Sequence, residues 1–97
     1  MIRQGDVLLV PIVKMPEDVK EKNKILAYGE VTGHKHQFLS EQVSVFKSKE
    51  NKQFVTADAD VELVHEEHNV VQVPKGIYEV IIQREFDIAD NIRQVLD

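Results

Sequence analysis

The stretch Val43-Ser44-Val45-Phe46-Lys47-Ser48-Lys49-Glu50-Asn51-Lys52-Gln53-Phe54-Val55-Thr56-Ala57 reads as two strands joined by a turn. Successive side chains of a strand point to opposite faces, so Val43, Val45 and Lys47 fall on one side and Ser44 and Phe46 on the other. Glu50-Asn51-Lys52 is a polar turn, and Phe54 to Ala57 is the returning strand. Working outward, the same grammar recurs. Val61, Leu63 and His65 alternate with Glu62, Val64 and Glu66, and Val70-Val71-Gln72-Val73 follows. Pro74-Lys75-Gly76 then marks a sharp turn before Ile77 to Phe86, the longest strand candidate, with Tyr78, Val80 and Ile82 sharing a face.

Upstream, Gly5-Asp6 introduces Val7 to Val13, an apolar run expected to be buried on both faces. Pro11 within it lacks an amide hydrogen and demands an edge position or a bulge. Met15 to Lys24 is the most polar segment; with no apolar face it is expected to be an exposed loop. Ile25 to Thr32 returns to strand composition, with Gly29 marking a bulge or a close backbone approach, and Gly33 turns the chain into His34 to Leu39. The tail has two readings: a short helix capped by Asp87 with Ile88, Ile92, Val95 and Leu96 on one face, or a further strand. Roughly seven or eight short strands at this spacing predict an all-β fold, a compact antiparallel β-barrel or roll, with the short C-terminal helix as an open addition. Residues 1–97 are expected to form a single β domain.

Composition narrows the function classes. The chain has no cysteine, which removes disulfide frameworks, thiolate zinc sites and cysteine nucleophiles. Its 17 acidic and 12 basic residues leave a formal charge of -5, which repels phosphate backbones, so no nucleic-acid partner is expected. No apolar run approaches membrane-spanning length and the opening residues do not form a signal peptide, so the expected address is the cytoplasm, with no membrane partner. Ser40, Ser44 and Ser48 have no glycine-rich nucleophile turn, and no phosphate-cradling loop is present.

The chemistry is concentrated in the four histidines, which occur as two tight pairs, His34-Lys35-His36 and His65-Glu66-Glu67-His68. Residues two apart in a strand face the same way, so His34 and His36 can address one point, although a polar surface loop produces the same spacing. His65 and His68 come together in two alternative ways. They close a hairpin whose two-residue loop is Glu66-Glu67, or they sit three apart on a helical turn. Glu-Glu is poor chemistry for a primed hairpin turn. His65 lies on the face of Val61 and Leu63, where a buried imidazole needs a partner. A shared divalent transition metal (zinc, iron, nickel or copper) satisfies His34, His36, His65 and His68 at once, with Glu66, Glu67 or Glu30 completing or orienting the set. The catalytic candidates are Glu67 and, on the last strand, Arg84 as an anion clamp and Glu85 as a base; a surface ion pair explains Arg84 and Glu85 equally.

Several separated segments match in order what is seen in a family of small bacterial proteins of uncharacterised activity. These are Arg3-Gln4-Gly5-Asp6-Val7-Leu8-Leu9, Gly29-Glu30-Val31-Thr32-Gly33-His34-x-His36, His65-Glu66-Glu67-His68, Pro74-x-Gly76-x-Tyr78-x-Val80 and Gln83-Arg84-Glu85-Phe86. The chain resembles that family over most of its length, which implies that these segments form one unit. The His-x-His after a glycine and the later Pro-x-Gly are similar to cupins, which hold a metal inside a β-barrel. That resemblance implies His34 and His36 as the first two ligands, Glu41 as the third and His65 or His68 as the fourth. The chain departs from cupins in lacking a Gly-x-x-His after Pro-x-Gly, and it is short for the full barrel. Gly5 to Val13, the polar stretch 14–24 and Gly29-Glu30-Val31 faintly resemble the layout of co-chaperonins that cap chaperonin rings. Met15 to Lys24 lacks the apolar triplet by which such a loop grips its partner.

Two function classes follow. The first is a small metal-binding β protein, acting as a metal-dependent enzyme or a metal-handling accessory. The second is a non-enzymatic β module that self-associates or binds a partner protein. A second copy of the chain is a candidate partner in either case, because edge strands in so small a sheet need closure or a neighbour.

Overall fold

The computed structural model describes residues 1–29 and 33–83. The C-terminal tail, with its alternative helix and strand readings, lies outside the described residues, as do Glu30, Arg84 and Glu85. The fold is all-β, and among the described residues there are ten strands: β1 (Ile2–Gln4), β2 (Val7–Pro11), β3 (Val19–Lys22), β4 (Ile25–Tyr28), β5 (Lys35–Phe38), β6 (Val43–Ser48), β7 (Gln53–Ala57), β8 (Val61–Val64), β9 (Val71–Val73) and β10 (Gly76–Ile82).

The strands form two antiparallel sheets, ordered β1-β2-β10-β7-β6-β3 and β4-β5-β8-β9. Both sheets contribute to one apolar core: Val7, Leu9, Val43, Val45, Val55, Ala57, Tyr78 and Val80 from the larger, and Leu26, Ala27, Phe38, Val61, Leu63 and Val73 from the smaller. The alternation read from Val43 holds through Phe46, with Val43 and Val45 buried and Ser44 and Phe46 half-buried; it breaks at the strand end, where Lys47 is exposed and Ser48 buried, and in the return strand, where Phe54 and Val55 are both buried. β6 and β7 pair from Val43↔Ala57 to Lys47↔Gln53. Asn51 takes the left-handed conformation that closes their loop, with φ 67°.

Barrel closure is corrected: among the described residues the sheets do not join into a closed barrel. The physical reason lies at the seams, where side chains replace a backbone ladder. Gln4 of β1 donates Nε2 to Leu63 O and Asn69 O beside β9, and Lys22 of β3 donates Nζ to Ile25 O of β4. The chain crosses from one sheet to the other between β3 and β4, β5 and β6, β7 and β8, and β9 and β10.

Pro11 resolves as the sequence requires. Ile12 N–H donates to Ile77 O, so Pro11, opposite Tyr78, turns its nitrogen away from β10. On that other side β1 reaches only Leu9, so no ladder bond is lost. Two local expectations differ. Val19–Lys22, read as loop, is an edge strand paired to β6; with one neighbour and a polar surface it shows no apolar face. Residues 61–73 do form a hairpin, but Leu63 pairs with Val71, so the connection is residues 65–70 rather than Glu66-Glu67 alone.

Candidate metal centre

Three connections converge on the site: the β1–β2 turn, the β4–β5 connection and the β8–β9 loop. The first is a two-residue hairpin, Gly5-Asp6, between the paired Gln4 and Val7. Gly5 has φ 58°, a conformation that costs a side chain energy but suits the primed turns of such hairpins. Packing favours it as well, because a Cβ there would lie 2.6 Å from His68 Nε2 and would push that exposed ring aside. At Gly29 a Cβ would be tight rather than excluded, 3.2 Å from His34 Cβ and 3.3 Å from His65 Nε2. Gly29 N–H also donates to His34 O at 2.8 Å, closing the connection that leads into β5.

His36, His65 and His68 each offer a ring nitrogen within 4.8 Å of the others, close enough to hold one metal ion. Their ring centroids lie 4.3 Å (His36–His65), 4.6 Å (His65–His68) and 5.6 Å (His36–His68) apart. The three are graded in exposure, with His36 buried, His65 half-buried and His68 exposed, so the site is anchored in the core and open at one side. His34 stands beside this trio. Its ring meets that of His65 edge-on at 5.8 Å, and its Nδ1 lies 3.5 Å from Glu67 Oε1. Glu66 uses both carboxylate oxygens to accept the backbone N–H of Lys35 at 3.0 Å, clamping the β8–β9 loop to the start of β5. Glu41 is exposed in the turn before β6 and is not part of the cluster.

Gln4 orders the buried half of the site. Its Nε2 donates to Leu63 O at 2.8 Å and to Asn69 O at 3.0 Å, which fixes the orientation of the amide. Its Oε1 therefore accepts, and the partner at 2.8 Å is His36 Nδ1, which must carry the proton. In the neutral ring the lone pair is then on His36 Nε2, 3.3 Å from Asp6 Oδ1. Burial lowers the His36 pKa below the ordinary histidine value; the charges of His65 and His68 act in the same direction, while Asp6 opposes them. His65 is held differently: its Nδ1 accepts the backbone N–H of Glu67 at 3.0 Å and of His68 at 3.3 Å.

Gln4 and Asp6 are the site residues that the sequence reading passed over. The available signal was the Gly-Asp hairpin turn, which places residues 4 and 6 at a strand tip; nothing local says that this tip meets His36.

An all-β domain whose sheets are stitched by polar side chains around a histidine cluster is the class defined here. Within it, the chain belongs to the family described as a domain of unknown function (DUF8820), which matches residues 3–83. No curated protein and no solved structure matches the chain. Among the described residues, no helix is long and apolar enough to cross a membrane.

Proposed function

We propose that this protein binds one divalent transition metal through His36, His65 and His68, with the Asp6 carboxylate beside them. The observation that carries the reading is the pairing of His36 Nε2 with Asp6 Oδ1 at 3.3 Å while Gln4 keeps the His36 proton on Nδ1. A lone pair facing a carboxylate is unfavourable unless a cation lies between them. A second proton on His36 is opposed by burial, whereas a metal ion answers both groups and the two neighbouring imidazoles together. Imidazole with carboxylate suits zinc, iron, nickel or copper. The exposed side at His68 leaves an approach for a water, a substrate or an accepting protein, as a metal-dependent enzyme or a metal-handling accessory requires. Its exposure and its contact with His34 Nδ1 at 3.5 Å support Glu67 as the candidate carboxylate at that open side.

The test is metal analysis of untagged protein, followed by thermal unfolding with and without chelator. The reading expects roughly stoichiometric metal, lost in His36→Ala and His65→Ala, and a lower Tm on chelation. Metal-free protein whose Tm ignores all four ions would sink it and favour the self-associating or protein-binding module, whose behaviour follows concentration instead.

A further inference from the structure

His36 and His65 enter the cluster with opposite proton arrangements. An imidazole nitrogen that accepts hydrogen bonds carries a lone pair. Because His65 Nδ1 accepts from the Glu67 and His68 amides, the neutral ring keeps its proton on Nε2. That Nε2 lies 3.3 Å from the position a Cβ on Gly29 would take, and the His65 ring stands 4.3 Å from that of His36 and 5.8 Å from that of His34. His36 faces the cluster with a lone pair and His65 with an N–H.

We infer that metal binding at His65 Nε2 moves that ring's proton to Nδ1 and releases the turn at Glu67 and His68, making the β8–β9 loop a metal-operated element. The inference rests on the metal-binding reading above and adds its conformational consequence. A metal takes the Nε2 lone pair, so the Nε2 proton leaves to solvent. The ligated ring stays neutral by taking a proton from solvent at Nδ1, and the ring's proton count is unchanged. Nδ1–H then points at two backbone N–H groups, and donors cannot bond donors. The ring swings or the turn opens, and in either case the Glu67 and His68 amides lose their acceptor.

The rest of the loop is tied to the other two connections of the site. Glu66 accepts Lys35 N–H, Glu67 lies against His34, and Asn69 O accepts from Gln4. A change at residues 65–68 therefore reaches each of the three converging connections. His36 needs no such change, since its Nδ1–H already donates to Gln4. The His36–Asp6 side is ready to receive the ion, and recruitment of His65 is the step that moves the loop.

The test is a zinc titration of the full chain, uniformly labelled with 15N. Imidazole spectra report which ring nitrogen carries a proton and which binds metal, and amide exchange reports the turn. The expected result is metal on His65 Nε2, a proton on its Nδ1, and exchange of the Glu67 and His68 amides faster by roughly tenfold or more. The His65→Asn variant separates turn from metal, because the Asn side-chain oxygen still accepts the turn amides but brings no imidazole. In that variant zinc is expected to bind about 10–100-fold more weakly and to leave the amide exchange unchanged. Zinc bound at His65 Nε2 with both amides still protected would overturn the inference and leave the metal reading standing. So would faster amide exchange on zinc addition in His65→Asn. No response of any histidine to zinc would overturn the metal reading itself, and the inference with it.

Discussion

Two glutamines fasten the smaller sheet to the larger, and one of them also orients a histidine of the cluster. Gln4 of β1 donates to Leu63 O and Gln53 of β7 donates to Leu26 O, each at 2.8 Å. Both side chains then turn their carbonyl oxygen toward a nitrogen. At Gln53 that nitrogen is Lys22 Nζ, at 3.1 Å, which also donates to Ile25 O at 2.5 Å. Burial, with Lys47 nearby, lowers the Lys22 pKa, but the ammonium still spends its hydrogens on neighbouring oxygens. At Gln4 the nitrogen is His36 Nδ1. A lysine has one nitrogen and is consumed by the bonds it makes. An imidazole has two, so anchoring one presents the other, already oriented, to a ligand.

The largest effect that would break this comparison is expected from Gln4→Leu. It leaves two carbonyls and a ring N–H without partners, a loss of about 3–5 kcal/mol of stability, read as a lower denaturation midpoint. Because Gln4 also sets the His36 proton, zinc affinity measured by calorimetry is expected to fall about 10–100-fold in the protein that still folds. Zinc at about 100 times its Kd should add roughly 2.7 kcal/mol to the wild-type fold, visible as a rise in Tm. His36→Ala should show no such rise.

Gln53→Leu sharpens the contrast. It should cost about 1–3 kcal/mol through the Leu26 carbonyl and the Lys22 ammonium it abandons, yet leave zinc affinity unchanged. A matching loss of zinc affinity in both glutamine variants would show that sheet stitching alone, and not ring orientation, supports the site. Gly5→Ala is expected to cost about 1–2 kcal/mol for the left-handed backbone and to weaken zinc binding by displacing His68.

The smallest effect concerns pH in the metal-free protein. His36 has its pKa lowered in the fold, so the unfolded chain binds the extra proton first as pH falls through the ordinary histidine range near 6.5. Stability should therefore be fully present above that range and decline below it, levelling once the folded His36 is also protonated. His36→Phe should lose this part of the slope, while Lys22→Met should retain it.

Much of the sheet was legible locally. The alternation at residues 43–46, 61–65 and 78–82 names the buried face of β6, β8 and β10, because a strand's period appears within five residues. β3 was not legible, because an edge strand with polar side chains differs from a loop only by the neighbour it pairs with. The extent of the β8–β9 connection was also hidden. The His65 ring holds the turn, a side-chain bond that no strand propensity encodes.

The residue order alone determined the strand content, the lack of thiolate chemistry and the two tight histidine pairs. Tertiary structure decided which imidazoles meet, that Asp6 and Gln4 join them, and which nitrogens of His36 and His65 are engaged by hydrogen bonds. The reason is range. Spacing along a strand or turn is set within a few residues, whereas the Gln4–His36 hydrogen bond spans 32 positions and the Gln4–Leu63 bond 59. Such contacts exist only after two sheets have packed on one core, and that packing leaves no mark on any single stretch of the chain.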